Sequence, residues 1–439
     1  MYRPIFAILA WLLFSNSLIA QVLKERERAA LVDKVLEERF ERVLPGIMYR
    51  TGIDMWVIIG REYNEDPVLK TMLPATWLNA RRRTILVFSY DPSLNKLDKY
   101  AISRYNVGDH FKAKWNKEKQ PDQWQALVEL IMAENPEKIA INQSEDYAHA
   151  DGITTTDHKL LIKSLPENLK SKIVSAEPLA VGWLETRSAL EMQLYEELVG
   201  ITHNLIKTAF SSEVVKPGMT TTDDIVWYLR QRVTDMGLET WFHPTVDIQR
   251  TDEQLPSHIE SFSDSPKEKT IQPGDLLHCD FGITYLRLNT DCQQHTYVLK
   301  PGESEAPEFL KTAFAKGNLL QDIFTSNFET GKTGNEILSK SLSEAKDRGL
   351  QPSIYTHPLG LHGHAAGPTI GMWDSQEGVP GTGDYQLFEN TAYAIELNTT
   401  VNIPEWNKDI RIMLEEAGFW GPKGFKYVNK RQEDLILID

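Results

Sequence analysis

The sequence predicts an α/β domain followed by a larger α+β domain, and three observations carry that expectation. The chain has 439 residues, more than one ordinary domain holds. Through residue 184, short apolar runs alternate with helical stretches, the pattern of an α/β layer. Beyond that point a helix pair precedes strands and a second helix pair precedes more strands, the arrangement of an α+β unit duplicated about a pseudo-twofold axis.

The first twenty residues stand apart. Arg3 supplies a short positive region, Ile5 to Leu13 is apolar, and Ser17-Leu18-Ile19-Ala20 ends on a small residue before Gln21. This is the pattern of a cleavable secretory signal over residues 1–20. The run is short for a span of about 20 residues, so no stable membrane anchor is expected and the mature chain should be secreted or periplasmic.

Residues 21–184 form the expected first domain. Gln21 to Arg42 has apolar residues at helical spacing. Met55–Ile59, Thr84–Phe88 and Lys138–Ile141 read as buried strands, with a helix over Asp122–Glu134. Glu177-Pro178 and a turn near Gly182 mark its end. Residues 185–439 form the second. A long amphipathic helix runs from Arg187 to about Phe210, Val215–Met219 breaks the chain, and Thr220–Thr222 caps a helix through Met236. Strands follow over Leu276–Ile283, Cys292–Leu299 and Thr391–Leu397. Helices over Ala306–Phe324 and Thr333–Asp347 lie between these strand groups.

Hydrophobic residues make up 41% of the chain, enough for real cores, and the net charge of −15 argues against nucleic acid or an anionic membrane as partner. Two cysteines, Cys279 and Cys292, exclude a disulfide-stapled small fold and a CxxC-type zinc site. They are expected to be buried free thiols, with a cross-strand disulfide as the alternative. Asn142-Gln143-Ser144 is a glycosylation-type sequon.

Catalytic divalent metals need oxygen and nitrogen ligands converging from rigid elements, and paired metals need carboxylates that bridge them. Asp280 lies inside an apolar strand, and Asp291 follows eleven residues later at the start of the next. In a hairpin that sets Asp280 opposite Asp291, and Cys279 opposite Cys292, the two acids share a face and call for a cation between them. Alternatively, Asp291 belongs to a turn and Asp280 is a lone hydrogen-bonded acid. Three histidines, His357, His362 and His364, crowd eight residues. Glu396 and the Glu415-Glu416 pair sit in two further apolar strands.

The order Asp280, Asp291, His357, Glu396, Glu415 resembles the signature of the pita-bread metallopeptidases, the family of aminopeptidase P, prolidase, methionine aminopeptidase and creatinase. The resemblance covers about residues 185–435, and the preceding α/β domain is similar to that of the aminopeptidase P, prolidase and creatinase branch. It implies a pita-bread catalytic domain holding two divalent ions, manganese first, with cobalt or zinc also suited to the ligands. Asp280 would chelate one metal, Asp291 and Glu415 would bridge, and His357 and Glu396 would complete the other. His364 and His258 match the family's active-site histidines, and Glu396 its proton shuttle. His362 and His243 are candidates for lining the substrate pocket. The implied activity is hydrolysis before proline in a peptide by a metal-activated hydroxide (Xaa-Pro aminopeptidase). The alternatives are an Xaa-Pro dipeptidase, a creatinase-like hydrolase or a sulfonium lyase. Relatives also imply a homo-oligomer. Members often carry Arg two residues before the last Glu; here Met413 stands there and Arg411 lies four before, so Glu416 rivals Glu415 as the last ligand.

Overall fold

The computed structural model describes residues 22–255 and 268–439. The expected secretory signal and His258 lie outside the described residues.

The chain enters through a helix, Glu25–Glu38, that runs through a π-helical turn, Arg39–Val43, into Leu44–Thr51. The helical stretch thus passes well beyond the expected end at Arg42. Pro45 follows just after the π-helical turn, and the helix stops only at Gly52, in the left-handed region at φ 61°. The strands β1 (Met55–Arg61), β2 (Arg83–Asp91), β3 (Lys96–Ala101), β4 (Lys112–Ala113), β5 (Ile139–Ile141) and β6 (Ile173–Ser175) form a mixed sheet in the order β4-β3-β2-β1-β5-β6. The three expected strands are β1, β2 and β5. The expected helix is Gln123–Glu134, capped by the Asp122 side chain. Two apolar clusters cover the faces of this sheet. The turn expected near Gly182 is absent: Gly182 lies inside a helix, Glu177–Glu185, packed against Ile47 and Arg50.

The helix Ala189–Ala209 begins with Ser188 and Glu191 in a reciprocal capping box. Thr221 with Asp224, and Thr333 with Glu336, do the same for Thr222–Asp235 and Gly334–Asp347. A fourth helix spans Glu308–Ser326. Between and after these lie β7 (Thr245–Gln249), β8 (Leu276–Phe281), β9 (Thr284–Tyr285), β10 (Leu288–Asn289), β11 (Cys292–Val298), β12 (Pro352–Ile354), β13 (His357–Pro358), β14 (Thr391–Ile403), β15 (Lys408–Gly421), β16 (Gly424–Tyr427) and β17 (Ile436–Ile438). The large sheet runs β12-β14-β15-β11-β8-β7 among the described residues, with β13 also paired to β14, β16 to β15 and β17 to β11. The first helix pair packs with β8, β11 and their neighbours in one core, and the second pair packs with β14 and β15 in another. This repeats the helix-pair-and-strands unit expected from the sequence.

The expected hairpin register is corrected as well. Across β8 and β11, Asp280 pairs with Gln293 and Cys279 with Gln294, so neither the acids nor the cysteines face each other directly. The cause is the turn. Thr284 pairs with Asn289 and Tyr285 with Leu288, which leaves Leu286 and Arg287 as a two-residue loop with φ at 53° and 66°. Positive φ at both central positions is the geometry of tight hairpins usually built on Asn or Gly. Here no such residue flags it. Arg287 is held instead by its side chain, which donates to the Leu73 carbonyl at 2.7 Å in the first lobe. Both cysteines are free and buried.

Candidate metal centre

Strand alternation puts residues two apart on one face. Asp291, two before Gln293, therefore shares the face of Asp280 and lies diagonal to it. The same face receives Glu415, paired with Gln293 across β11 and β15, and Glu396, directly opposite Glu415 across β14 and β15. His357 pairs with Ala394, two residues from Glu396, and so reaches the same face. The Thr356 hydroxyl accepts from the Glu396 N–H and donates to its carbonyl, both at 3.0 Å, fixing that backbone.

Ligand-capable atoms of Asp280, Asp291 and Glu415 all lie within 4.8 Å of one another, as do those of His357, Glu396 and Glu415, and those of Asp291, His357 and His364. His357 Nε2 faces Asp291 Oδ2 and Glu415 Oε1 at 3.6 Å each and Glu396 Oε2 at 4.0 Å. These separations are too long for hydrogen bonds. Accordingly Asp280 Oδ1, Asp291 Oδ1, His357 Nε2 and Glu415 Oε1 are buried with no hydrogen-bond partner. Buried polar atoms are ordinarily satisfied. Four that converge from carboxylates and one imidazole fit the oxygen-rich donor set of hard divalent ions.

The electrostatics agree with that fit. Burial, then the neighbouring Asp291 charge, pushes the Asp280 carboxyl far above its ordinary range. Burial, then Glu415, does the same to Glu396, and burial, then Asp291, to Glu415. For His357, burial pulls downward but the facing Asp291 and Glu396 carboxylates outweigh it, and the net direction is up. A cation would relieve each of these penalties.

The two adjacent glutamates in the middle of β15 part company. Glu415 joins the cluster, while Glu416 points to the opposite face. There its Oε2 meets His203 Nε2 at 2.6 Å, and its Oε1 accepts from Gln294 Nε2 at 3.1 Å and the Gln432 N–H at 3.0 Å. Arg411 is buried, its N–H and carbonyl both clamped by the Gln249 side chain, and Met413 stands between it and Glu415.

Of the other expected site residues, His364 edges onto His357 with ring centroids 4.6 Å apart; partial burial of its ring, then His357, depresses its pKa. His362 tilts against His149 of the first lobe at 4.6 Å, and burial, then that histidine, drives it down to about 4. His243 is exposed, 3.1 Å from Arg230 Nη1 and beside Trp227. The structure does not bring it to the carboxylate cluster.

Four residues escaped the sequence reading: Gln293, His278, Asp247 and Trp241. Gln293 Nε2 donates to Glu396 Oε1 at 2.5 Å and to Glu415 Oε2 at 3.0 Å. The period-two spacing from Asp291 was a signal for it. Trp241 donates to the Thr290 carbonyl at 2.8 Å and stands edge-on to His364 at 5.2 Å. Gly363 lets it in, since a Cβ there would lie 2.5 Å from the indole.

A sequence model of metallopeptidase family M24 matches residues 193–437, and no curated protein matches the chain. Similar solved structures include the following three. An X-Pro aminopeptidase from Thermotoga maritima MSB8 gives a TM-score of 0.62 at 17% identity, over 89% of this chain and 99% of that one. An Xaa-Pro dipeptidase from Bacillus anthracis gives 0.60 at 16%, over 94% and 100%. A prolidase from Pyrococcus horikoshii OT3 gives 0.56 at 16%, over 91% and 100%. At these identities the likeness is one of fold.

Proposed function

Because this chain belongs to metallopeptidase family M24 and has its pita-bread fold, we propose that it is an exopeptidase that hydrolyses the bond before proline, releasing the N-terminal residue of Xaa-Pro peptides. The observation that carries the reading is the convergence of Asp280, Asp291, His357, Glu396 and Glu415, with buried ligand atoms that no protein group satisfies. Asp280 would hold one metal, His357 and Glu396 the other, and Asp291 and Glu415 both. When bound, two such cations acidify water and polarise a carbonyl.

The chain's own residues do the rest. Glu396 keeps 14% of its side chain exposed against 1% for Glu415, so of the two opposed glutamates it is the one that can exchange a proton with substrate and solvent. His364, its pKa lowered by burial and then by His357, can offer or accept a hydrogen bond at the substrate or leaving group. Trp241 holds that ring from the side. His362 and His149 bring the first lobe to the rim of the same loop. His258 is proposed as the second active-site histidine on the sequence resemblance alone.

A domain of residues 21–184 and a catalytic domain of 185–439 complete the reading, with residues 1–20 removed on export. Among the described residues no helix is long and apolar enough to cross a membrane. N-terminal sequencing of the exported protein tests the cleavage, which predicts Gln21 first. Manganese and a homo-oligomer follow from the resemblance; elemental analysis and sedimentation of the purified protein check them.

The decisive assay offers metal-stripped protein, titrated with manganese, an Xaa-Pro dipeptide, an Xaa-Pro-Xaa tripeptide and an Xaa-Ala-Xaa control. Manganese-dependent release of the first residue from the proline peptides, lost in Asp291→Ala, supports the reading, and peptide length separates aminopeptidase from dipeptidase. A second reading, a creatinase-like hydrolase or lyase on the same fold, draws on Met413 standing where members often carry arginine. Metal binding without peptide cleavage moves it to the front.

A further inference from the structure

A row of side chains crosses the large sheet at successive paired positions: Glu396 on β14, Glu415 on β15, Gln293 on β11, Asp280 on β8 and Thr245 on β7. Gln293 is thus an amide placed between acids, and it is 2% exposed. Both glutamates in the row accept from its Nε2. With its two protons so committed, the amide turns its oxygen away, and that oxygen lies 3.0 Å from His278 Nε2. The other nitrogen of His278 meets Asp247 Oδ2 at 3.1 Å. Chemistry fixes the orientation of the amide: reversed, it would aim a carbonyl oxygen at two carboxylates. The result is a continuous chain, Asp247 to His278 to Gln293 to the glutamate pair.

We propose that Gln293 is a positioning residue that sets the metal affinity of the site by holding Glu396 and Glu415 together, with His278 and Asp247 holding Gln293. The inference rests on the two-metal reading above. Its physical basis is that like charges directly opposite on adjacent strands repel. Without a shared donor the two glutamates would swing apart, and metal binding would have to gather them again. Partners that orient ligating groups typically change metal affinity 10–100-fold when removed. A serine or alanine at position 293 could not reach both acids. A glutamate there would add charge without offering a donor.

The test measures manganese binding by titration calorimetry on the full chain, stripped of metal, without peptide. Gln293→Ala should weaken binding about 10–100-fold. His278→Ala should weaken it less, and the double variant should bind no more weakly than Gln293→Ala alone. Once the amide is gone His278 has nothing left to orient, so the two losses must not add. Circular dichroism reports whether each variant folds. Gln293→Asn, which keeps the amide on a shorter arm, should fall between wild type and Gln293→Ala, and it decides the matter if the alanine variant does not fold. Wild-type affinity in a folded Gln293→Ala or Gln293→Asn variant overturns the proposal, as do additive losses in the double variant. Peptide cleavage is assayed separately on the wild type. Metal bound without cleavage removes the peptidase reading and leaves this inference to the titrations, whereas a wild type that binds no metal removes both.

Discussion

Glu396 and Glu415 lie directly opposite each other on neighbouring antiparallel strands, in a register that continues for thirteen residue pairs from Thr391↔Trp420 to Ile403↔Lys408. Two acids so placed in a buried sheet are a destabilising element unless something positive joins them. That pairing is the reason for the first two predictions.

Metal should act as a stabiliser of the fold as well as a cofactor. A ligand that binds only the folded chain adds about 2.7 kcal/mol when present at a hundred times its Kd. Chelation should therefore lower the melting temperature, and manganese or cobalt should restore it, while magnesium at equal concentration should restore less. Differential scanning calorimetry checks this; a melting temperature indifferent to chelation and re-addition would falsify the two-metal reading.

Glu415 and Glu416 should separate cleanly. Glu415→Ala should lose metal and activity together. Glu416→Ala should retain the metals but lose stability, by about 3 kcal/mol, because His203, Gln294 and the Gln432 N–H all forfeit a buried partner. Elemental analysis beside thermal melts of both variants decides. Metal lost from the Glu416 variant and kept by the Glu415 variant would reverse the assignment.

Glu185 should make stability depend on pH. It ends the helix Glu177–Glu185, where Oε1 accepts from Arg50 at 2.9 Å and Oε2 is buried without a partner. Burial raises its carboxyl from 4.5 to about 7 against the opposing pull of Arg50. A carboxyl whose folded pKa is raised contributes its full stability below the unfolded value and loses it as pH rises through the folded one. The loss between pH 4.5 and about 7 is on the order of 3 kcal/mol. Relative to wild type, Glu185→Gln should thus grow more stable across that window. Urea titrations at pH 5 and pH 8 give the comparison, and a stability difference that stays flat with pH is the contrary result.

Trp241 should matter to turnover and not to metal content. Its indole stands against His364 and fills the space that Gly363 leaves open. Trp241→Ala should keep both metals and lower kcat/KM about 10-fold or more, since a catalytic group displaced by about 1 Å can cost 100-fold. Trp241→Phe keeps the wall but drops the bond to the Thr290 carbonyl and should fall in between. Loss of metal from the alanine variant would mean that the residue supports the ligands instead.

Much of this architecture was legible in the sequence because local rules carried it. The expected cap within Thr220–Thr222 is Thr221, and the helices expected from Arg187 and over Thr333–Asp347 begin at Ala189 and Gly334. The apolar runs at Met55, Thr84 and Leu276 are strands. What the sequence hid was register. The two-residue loop Leu286–Arg287 has no Gly or Asn, and the force that tolerates it is a tertiary bond from Arg287 to the Leu73 carbonyl. Moving the turn centre by one residue moved Gln293 to the place opposite Asp280, and with it hid the amide's role. The fate of Glu416 was hidden for a similar reason. Alternation says that neighbours on a strand face opposite ways, but only the position of His203 on a distant helix says which way is which.

The row from β14 to β7 also bears on how the protein comes to exist. Gln293 and Glu415 are 122 residues apart in the chain, and Gln293 and Glu396 are 103 apart. Closing loops of that length is entropically slow, and such pairings come late on a folding route. A chain emerging from the ribosome carries Asp280 and Asp291 long before Glu415 has been made. One of the two middle strands of that sheet, β15, meets its neighbour β11 across 122 residues of chain. Metal therefore cannot template the early steps. It can only fasten a sheet that has already closed, which makes the final docking of β15 the event after which the ions slow the reopening of the sheet.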